Sequence, residues 1–174
     1  FGPRIHNPTI NLSAIRLIRC DEGTGTGFVI KDGVLATALH VAELTGCRDD
    51  QSGAPLLTYH EDRPNDFALM TGVLPAVVPI KYKCSGYIGG QTYLSYGWRG
   101  MFRMDAVTSL GSYTDEGFVV QGVPMPGMHN LSAGIVPGMS GGPIMDLMGY
   151  AIGINNVGSW NGFFAPARTP PMST

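Results

Sequence analysis

Residues 117–167 carry one charged side chain, Asp146, and are interrupted by Pro124, Pro126, Pro137, Pro143 and many glycines. So long an uncharged run invites a membrane reading, yet none of it is the continuous apolar stretch of about 20 residues that a spanning helix needs. Helical periodicity is scarce as well. What remains is a set of short strands that bury their side chains against one another. Composition extends this to the whole chain. Gly 25 and Pro 13 among 174 residues give turns throughout, 44% hydrophobic residues supply a core, and only 14% are charged, against about 25% in an average domain.

Candidate strands cover residues 15–20, 27–30, 34–38, 56–59, 67–70, 92–96, 101–110, 118–121, 143–145, 150–155 and 162–165. Turn signals punctuate them at Lys31-Asp32-Gly33, Arg63-Pro64-Asn65, Gly89-Gly90 and Asn161-Gly162. Strand, Lys-Asp-Gly, strand across residues 27–38 spells a hairpin. Helical periodicity is confined to residues 38–44. Many short strands joined by Gly- and Pro-rich turns predict an all-β protein. Residues 74–90 show little alternation and read as a connector near the midpoint. The expected organisation is a β-unit over 1–80, a connector over 81–90, a second β-unit over 91–166 and an extended tail over 167–174.

The formal net charge of −2 leaves no basic excess to neutralise phosphates, so nucleic acid is not an expected partner. That would change only if Lys81, Lys83, Arg99 and Arg103 gathered on one face. Cys20, Cys47 and Cys84 make an odd set without a C-x-x-C pair, which argues against a disulfide framework and a structural zinc site. This points toward a reducing compartment, with one bridge and a spare thiol left open. Cys20 and Cys84 read as fillers of apolar positions. Residues 1–11 have no apolar segment of the signal-peptide kind, and a start at Phe1 rather than Met reads as a cleaved or trimmed end.

The sharpest segment is Val136-Pro-Gly-Met-Ser-Gly-Gly-Pro-Ile144. Gly and Pro alone can make such a turn without any chemistry. A nucleophilic serine, however, needs its hydroxyl on a sharp bend and backbone N–H groups converging on the oxyanion that follows attack. Serine also needs a base, held in turn by a third group. Both partners have plausible contexts upstream. His40 ends the apolar run Val34-Leu-Ala-Thr-Ala-Leu, and Asp66 opens Asp66-Phe-Ala-Leu-Met70 after a turn. Asp49, Asp50 and Asp62 are the rival carboxylates. Asp66 is preferred because a buried orienting group should sit where a strand begins, whereas Asp62 lies in the charged cluster Glu61-Asp-Arg63. His6 and His60 have no such context.

The order His, Asp, Ser is that of chymotrypsin. Together Gly25-Thr-Gly-Phe-Val-Ile30, Ala36-Thr-Ala-Leu-His40, Asp66-Phe-Ala-Leu69, Gly138-Met-Ser-Gly-Gly-Pro143 and Ala151-Ile-Gly-Ile154 resemble a chymotrypsin-like serine protease, across most of the chain and in that family's order. The resemblance implies two antiparallel β-barrels with the active site in the cleft between them. It also implies roles: His40 as general base, Asp66 as its orienting carboxylate, Ser140 as nucleophile, and the N–H groups of Gly138 and Ser140 as the oxyanion hole. No metal and no cofactor is called for.

The departures are equally specific. Met139 stands where the digestive enzymes carry the Asp that pairs with a new N-terminus, so that activation switch is not expected. The family's cysteine pair around the catalytic His is not found within residues 23–39. A short chain with these features resembles the minimal viral polyprotein-processing proteases, or bacterial HtrA-like protease domains. The implied pocket walls are Ser132, Ala133 and Gly134 on one side and Asn155, Asn156, Val157 and Gly158 on the other. Neither segment contains an acidic residue, so a neutral substrate side chain is expected. His129 is a further candidate reader of the substrate, although it precedes Ser140 where the viral relatives' histidine follows. Met139 is expected at the cleft, and the other Met residues in packing. The expected function is a serine endopeptidase that processes a viral polyprotein, its own precursor included, in host cytoplasm. A non-catalytic protease-fold binding module and an RNA-binding accessory role are the rival classes.

Overall fold

The computed structural model describes residues 12–83, 93–99, 102–108, 118–120, 123–125, 128–131, 138–155 and 165–168. A 3-10 turn, Leu12–Ala14, leads into β1 (Ile15–Arg19), β2 (Thr24–Lys31) and β3 (Val34–Ala38), followed by a single helical turn α1 (Leu39–Ala42). Next come β4 (Arg48–Asp49), β5 (Leu57–Asp62), a 3-10 turn at Arg63–Asn65, and β6 (Phe67–Thr71). These strands form a six-stranded sheet in the order β4-β1-β2-β3-β6-β5, antiparallel throughout. An isolated bridge from Arg48 to Pro55 ties β4 to the segment entering β5, which brings the two edges of the sheet together.

The second half repeats the plan. It contains β7 (Tyr93–Arg99), β8 (Phe102–Thr108), β9 (Phe118–Val120), β10 (Val123–Met125), β11 (Met128–Leu131), β12 (Pro143–Met145), β13 (Ala151–Asn155) and β14 (Ala165–Arg168). Six of them form a sheet in the order β11-β14-β13-β12-β7-β8, and β9 and β10 pair separately. The all-β expectation therefore holds. The strands at 34–38 and 143–145 fall at the expected residues and most others within a residue or two; β2 starts three residues earlier, at Thr24, β5 runs on to Asp62, β7 to Arg99, and the last strand starts later, at Ala165. Three strands were not anticipated: β4, β10 and β11.

β4 shows why. It is only two residues long, both are charged, and Asp49 is nevertheless buried. Its carboxylate takes two hydrogen bonds from the equally buried Arg16 of β1, Nε to Oδ1 at 2.8 Å and Nη2 to Oδ2 at 2.7 Å. A buried charge is tolerated only with this kind of pairing. Hydropathy cannot show a strand whose burial depends on a partner 33 residues away. The core of this half is apolar, with Phe28, Phe67, Ile15, Ile18, Leu35, Leu39, Leu69 and Met70 fully buried.

Cys20 and Cys47 form a disulfide, which corrects the reading of Cys20 as an apolar filler and of the chain as lacking a cysteine pair around His40. The bridge runs from the end of β1 to the loop after α1 and encloses His40. It lay outside the expected window because its first cysteine precedes residue 23. Glu22 supports the same junction, accepting from the Thr45 N–H at 2.7 Å and hydroxyl at 2.8 Å, and these bonds hold its carboxyl below the ordinary value. The expectation of a reducing compartment rested on the absence of a bridge, and that support is withdrawn. Cys84 lies outside the described residues.

The connector touches both sheets. Ile80 N–H donates to the Val29 carbonyl of β2 at 2.8 Å, while Lys81 and Lys83 exchange backbone bonds with Ala151 of β13. Lys83 also pairs with Asp146 at 2.9 Å and lies over the Tyr150 ring, and the Asp146 hydrogen bond raises its ammonium above the ordinary lysine value. The one charge of the uncharged half is thus a turn-former, accepting from the N–H groups of Met148 and Tyr150.

Two stability predictions follow from these contacts. Burial pushes the Asp49 carboxyl up, but hydrogen bonds from Arg16 and Ser52 outweigh it and leave the group below its ordinary value. With the folded value depressed, the contribution is present above the unfolded value of about 3.9 and is lost as pH falls through the folded one. Asp49→Asn should therefore lower stability at pH 7, by up to about 3–5 kcal/mol, and flatten the acid limb of the stability curve. Urea unfolding at pH 7 and pH 3 reads both; identical pH dependence in the two proteins would refute the assignment. Separately, reducing the Cys20–Cys47 bridge, with its sequence separation of 27, should cost about 3–4 kcal/mol by chain entropy. An unfolding midpoint indifferent to reductant would show that the bridge does not form.

Candidate active site

Ala38 ends β3, and as the residue that precedes α1 it has no side chain able to cap the helix. Leu39 and Val41 are both buried, so His40 between them is driven outward and its side chain is 45% exposed. The donors at the start of a helix need partners, and Asp66 supplies them. Its backbone carbonyl accepts from Leu39 N–H at 3.0 Å, and its Oδ1 accepts from His40 N–H at 2.9 Å. Its other oxygen, Oδ2, lies 2.6 Å from His40 Nδ1. One residue thus fixes both the backbone and the ring of His40.

Asp66 can do this because of its backbone. It is the one described non-glycine residue with positive φ, at 51°, where the chain leaves the Arg63–Asn65 turn. Asp is among the few side chains that visit this left-handed region readily. The conformation turns the carbonyl and the carboxylate toward α1 together. An ion pair from Arg63 to Glu43, 2.6 Å, joins the loop before Asp66 to the residue after α1, and Glu43 holds the guanidinium above its ordinary value. With Nδ1–H donated to the carboxylate, Nε2 is left as the acceptor of the neutral ring. Of the rival carboxylates, Asp49 is committed to Arg16 and Asp50 pairs with Arg19 at 2.6 Å.

Ser140 sits in the turn between Gly138 and Gly142, where Gly138 and Gly141 have φ of 101° and 91°. Close approach matters even more than φ. A Cβ on Gly141 would collide with the Thr26 carbonyl and Thr37 Oγ1, and would lie 2.9 Å from Ala38 N. A Cβ on Gly142 would collide with the Tyr96 carbonyl of β7. The glycines therefore let the turn press against both sheets at once, on the first sheet at the residue two before His40.

Hydrogen bonds hold it there. Thr26 N–H donates to the Ser140 carbonyl at 2.8 Å, Gly141 N–H to the Asn155 carbonyl at 2.7 Å, and Asn155 N–H to the Gly142 carbonyl at 2.8 Å. The Thr26 hydroxyl donates to the Gly138 carbonyl at 2.6 Å. Thr37 Oγ1 donates to the Thr26 carbonyl at 2.7 Å.

Two expected site residues are placed differently. Asn155, expected in the pocket wall, is 1% exposed and its amide donates inward to the Tyr96 carbonyl at 3.1 Å and the Met139 carbonyl at 3.4 Å. Its side chain secures the turn. Met139, expected at the cleft, is buried against the backbone of Gly97. Ser132, Ala133, Gly134, Asn156, Val157 and Gly158 lie outside the described residues, as does the side chain of His129. Of the four basic residues singled out, Lys83 is taken up by Asp146. Among the described residues no helix is long and apolar enough to cross a membrane, and no three His, Cys, Asp or Glu side chains are grouped to hold a metal ion.

The fold that carries this arrangement is that of the chymotrypsin-like serine proteases. Similar solved structures include the Rv3671c protease of M. tuberculosis, with TM-score 0.76 and 19% identity over 95% of this chain and 88% of that one. A human pathogenic astrovirus serine protease superposes with TM-score 0.73 and 17% identity over 98% of both chains. The MamO protease domain of Magnetospirillum magneticum gives 0.70 and 14% over 90% and 91%. No protein-family profile and no curated sequence matches the chain.

The Asp66 contact can be tested without any assay of activity. Nitrogen NMR of His40 in the neutral ring should show the proton on Nδ1. Asp66→Asn, which keeps the backbone preference, should shift the population toward Nε2–H. A wild-type ring protonated on Nε2 would contradict the contact.

Proposed function

We propose that this chain is a serine endopeptidase. The observation that carries the reading is the 2.6 Å contact of Asp66 with His40 Nδ1, combined with a Ser140 turn latched onto the strands that present His40. In this reading His40 Nε2 takes the proton of Ser140 Oγ as that oxygen bonds to the scissile carbonyl carbon. The N–H groups of Gly138 and Ser140 receive the oxyanion. Collapse breaks the C–N bond, and His40 returns the proton to the leaving amine. Water then hydrolyses the acyl-enzyme by the same route, while Asp66 holds the ring and stabilises the imidazolium.

The substrate class proposed is polypeptide, with an uncharged side chain in the pocket, since the segments expected to wall it hold no acidic residue. Processing of a viral polyprotein is the favoured setting. Its support is that the astrovirus serine protease matches this chain end to end, with 98% of each covered. A bacterial protease domain is the second reading, favoured by the TM-score of 0.76 to the Rv3671c protease. A peptide library separates neutral from charged preferences directly.

Ser140→Ala should abolish peptide cleavage and labelling by an organophosphonate while melting within a few degrees of wild type. Residual cleavage by this variant would unseat Ser140. Asp66→Asn should lower kcat by about 10³–10⁴-fold, because the wrong tautomer of His40 faces the serine. If it retains a tenth or more of wild-type kcat, Asp66 is not the orienting group.

A further inference from the structure

The structure assigns Thr26, a residue of the first sheet, as the positioning group that sets the nucleophile turn of the second. This rests on the proposed serine peptidase reading and adds to it a residue outside the His-Asp-Ser set. Thr26 is fully buried in β2, and each of its polar atoms is engaged. Its hydroxyl accepts from Trp98 N–H of β7 at 2.9 Å and lies 2.6 Å from the Gly138 carbonyl. A backbone N–H can only donate, so the hydroxyl proton must go to Gly138. Its own N–H donates to the Ser140 carbonyl at 2.8 Å, and its carbonyl is held by Thr37 Oγ1 at 2.7 Å. A single side chain and its backbone thus grip the turn at both ends of Gly138-Met139-Ser140.

The consequence follows from peptide geometry. In a trans peptide the C=O and N–H point in opposite directions. Fixing the Gly138 carbonyl fixes the plane of the peptide that leads into Met139. The Met139 carbonyl is bonded to Gly142 N–H at 3.1 Å and to the Asn155 amide, so the N–H of Ser140 points away from both. Gly138, at φ 101°, has no Cβ to restrict its alternatives, and the peptide after it is the place where the turn can flip. The Thr26 hydroxyl is the partner that selects one orientation. It also ties this choice to β2, whose neighbour β3 leads directly to His40, so nucleophile and base are registered through one residue.

Thr26→Val keeps the shape and β-branch but removes the hydroxyl, and Thr26→Ser keeps the hydroxyl. Thr26→Val should lower kcat by 10- to 100-fold with KM changed less than about threefold, and should slow organophosphonate labelling by the same factor. Thr26→Ser should recover both to within about threefold. Thr26→Ala, which removes the hydroxyl without adding bulk, should match the valine variant. Labelling of Thr26→Val within threefold of wild type overturns the inference, as does a serine variant as slow as the valine one, which would point to the methyl group. If the valine and alanine variants both fail to fold, Thr26 is a folding residue and the proposal falls. A wild-type protein inert to the phosphonate at Ser140 instead defeats the peptidase reading itself.

Discussion

The site depends on one steric fact: the turn carrying Ser140 fits between two sheets only because Gly141 and Gly142 have no side chains. With a Cβ at either position the turn would meet backbone, at Thr26 and Ala38 on one side and Tyr96 on the other. Backbone cannot rotate out of the way as a side-chain tip can, so the sheets would have to part. The same closeness allows the bonds from Thr26 to Gly138 and Ser140 and from Asn155 to Gly141, Gly142 and Met139. Steric room comes first, and hydrogen bonding then selects the arrangement. On the His40 side the order is similar: burial of Leu39 and Val41 turns the ring outward, and Asp66 then fixes it.

A buried polar group must be satisfied, and several of those in this chain are satisfied by contacts that span sequence. Thr26, Asn155, Arg16 and Asp49 are all buried and polar, and each bonds to residues far along the chain or in the other half, while Thr37 bonds across to Thr26 on the neighbouring strand. Apolar packing alone would tolerate small slips of one sheet against the other. Directional bonds at 2.6–2.9 Å between Thr26, Gly138 and Trp98 do not. Trp98 adds a second tie, its indole N–H donating to the Ile15 carbonyl at 3.0 Å.

How much of this could be read from residues alone follows the range of the interactions. The hairpin over β2 and β3 and the strand β6 were legible because their signals are local: apolar runs bounded by Gly, Pro and Asp. His40, Asp66 and Ser140 could be chosen because each stands in a recognisable local setting, a strand end, a strand start and a glycine-flanked bend. The roles of Thr26 and Asn155 were not legible, since a threonine between two glycines and an asparagine after Ile154 look like turn or pocket residues until their partners are known. Asn155 is expected in the pocket wall for that reason, and its amide instead bonds inward to Tyr96 and Met139. One bridge among three cysteines is open from the count, but its pairing across His40 is not local, since Cys20 and Cys47 are 27 residues apart. β4 was hidden because its burial is conferred by Arg16.

Energy and geometry make different demands on the junction between the sheets. A single hydrogen bond contributes about 0.5–1.5 kcal/mol net, and removing one partner of a buried bond between Thr26, Asn155 and the turn costs about 1–3 kcal/mol. Acyl transfer is less forgiving, because displacing a reacting group by about 1 Å can cost 10²-fold in rate. Under the proposed chemistry the nucleophile comes from the second sheet and its base from the first, so every slip between sheets is a displacement of that kind. The connector bonds of Ile80 to β2 and of Lys81 and Lys83 to β13, the Trp98 tie and the Thr26 grip are then best understood by what they prevent. What they prevent is slippage of one six-stranded sheet against the other.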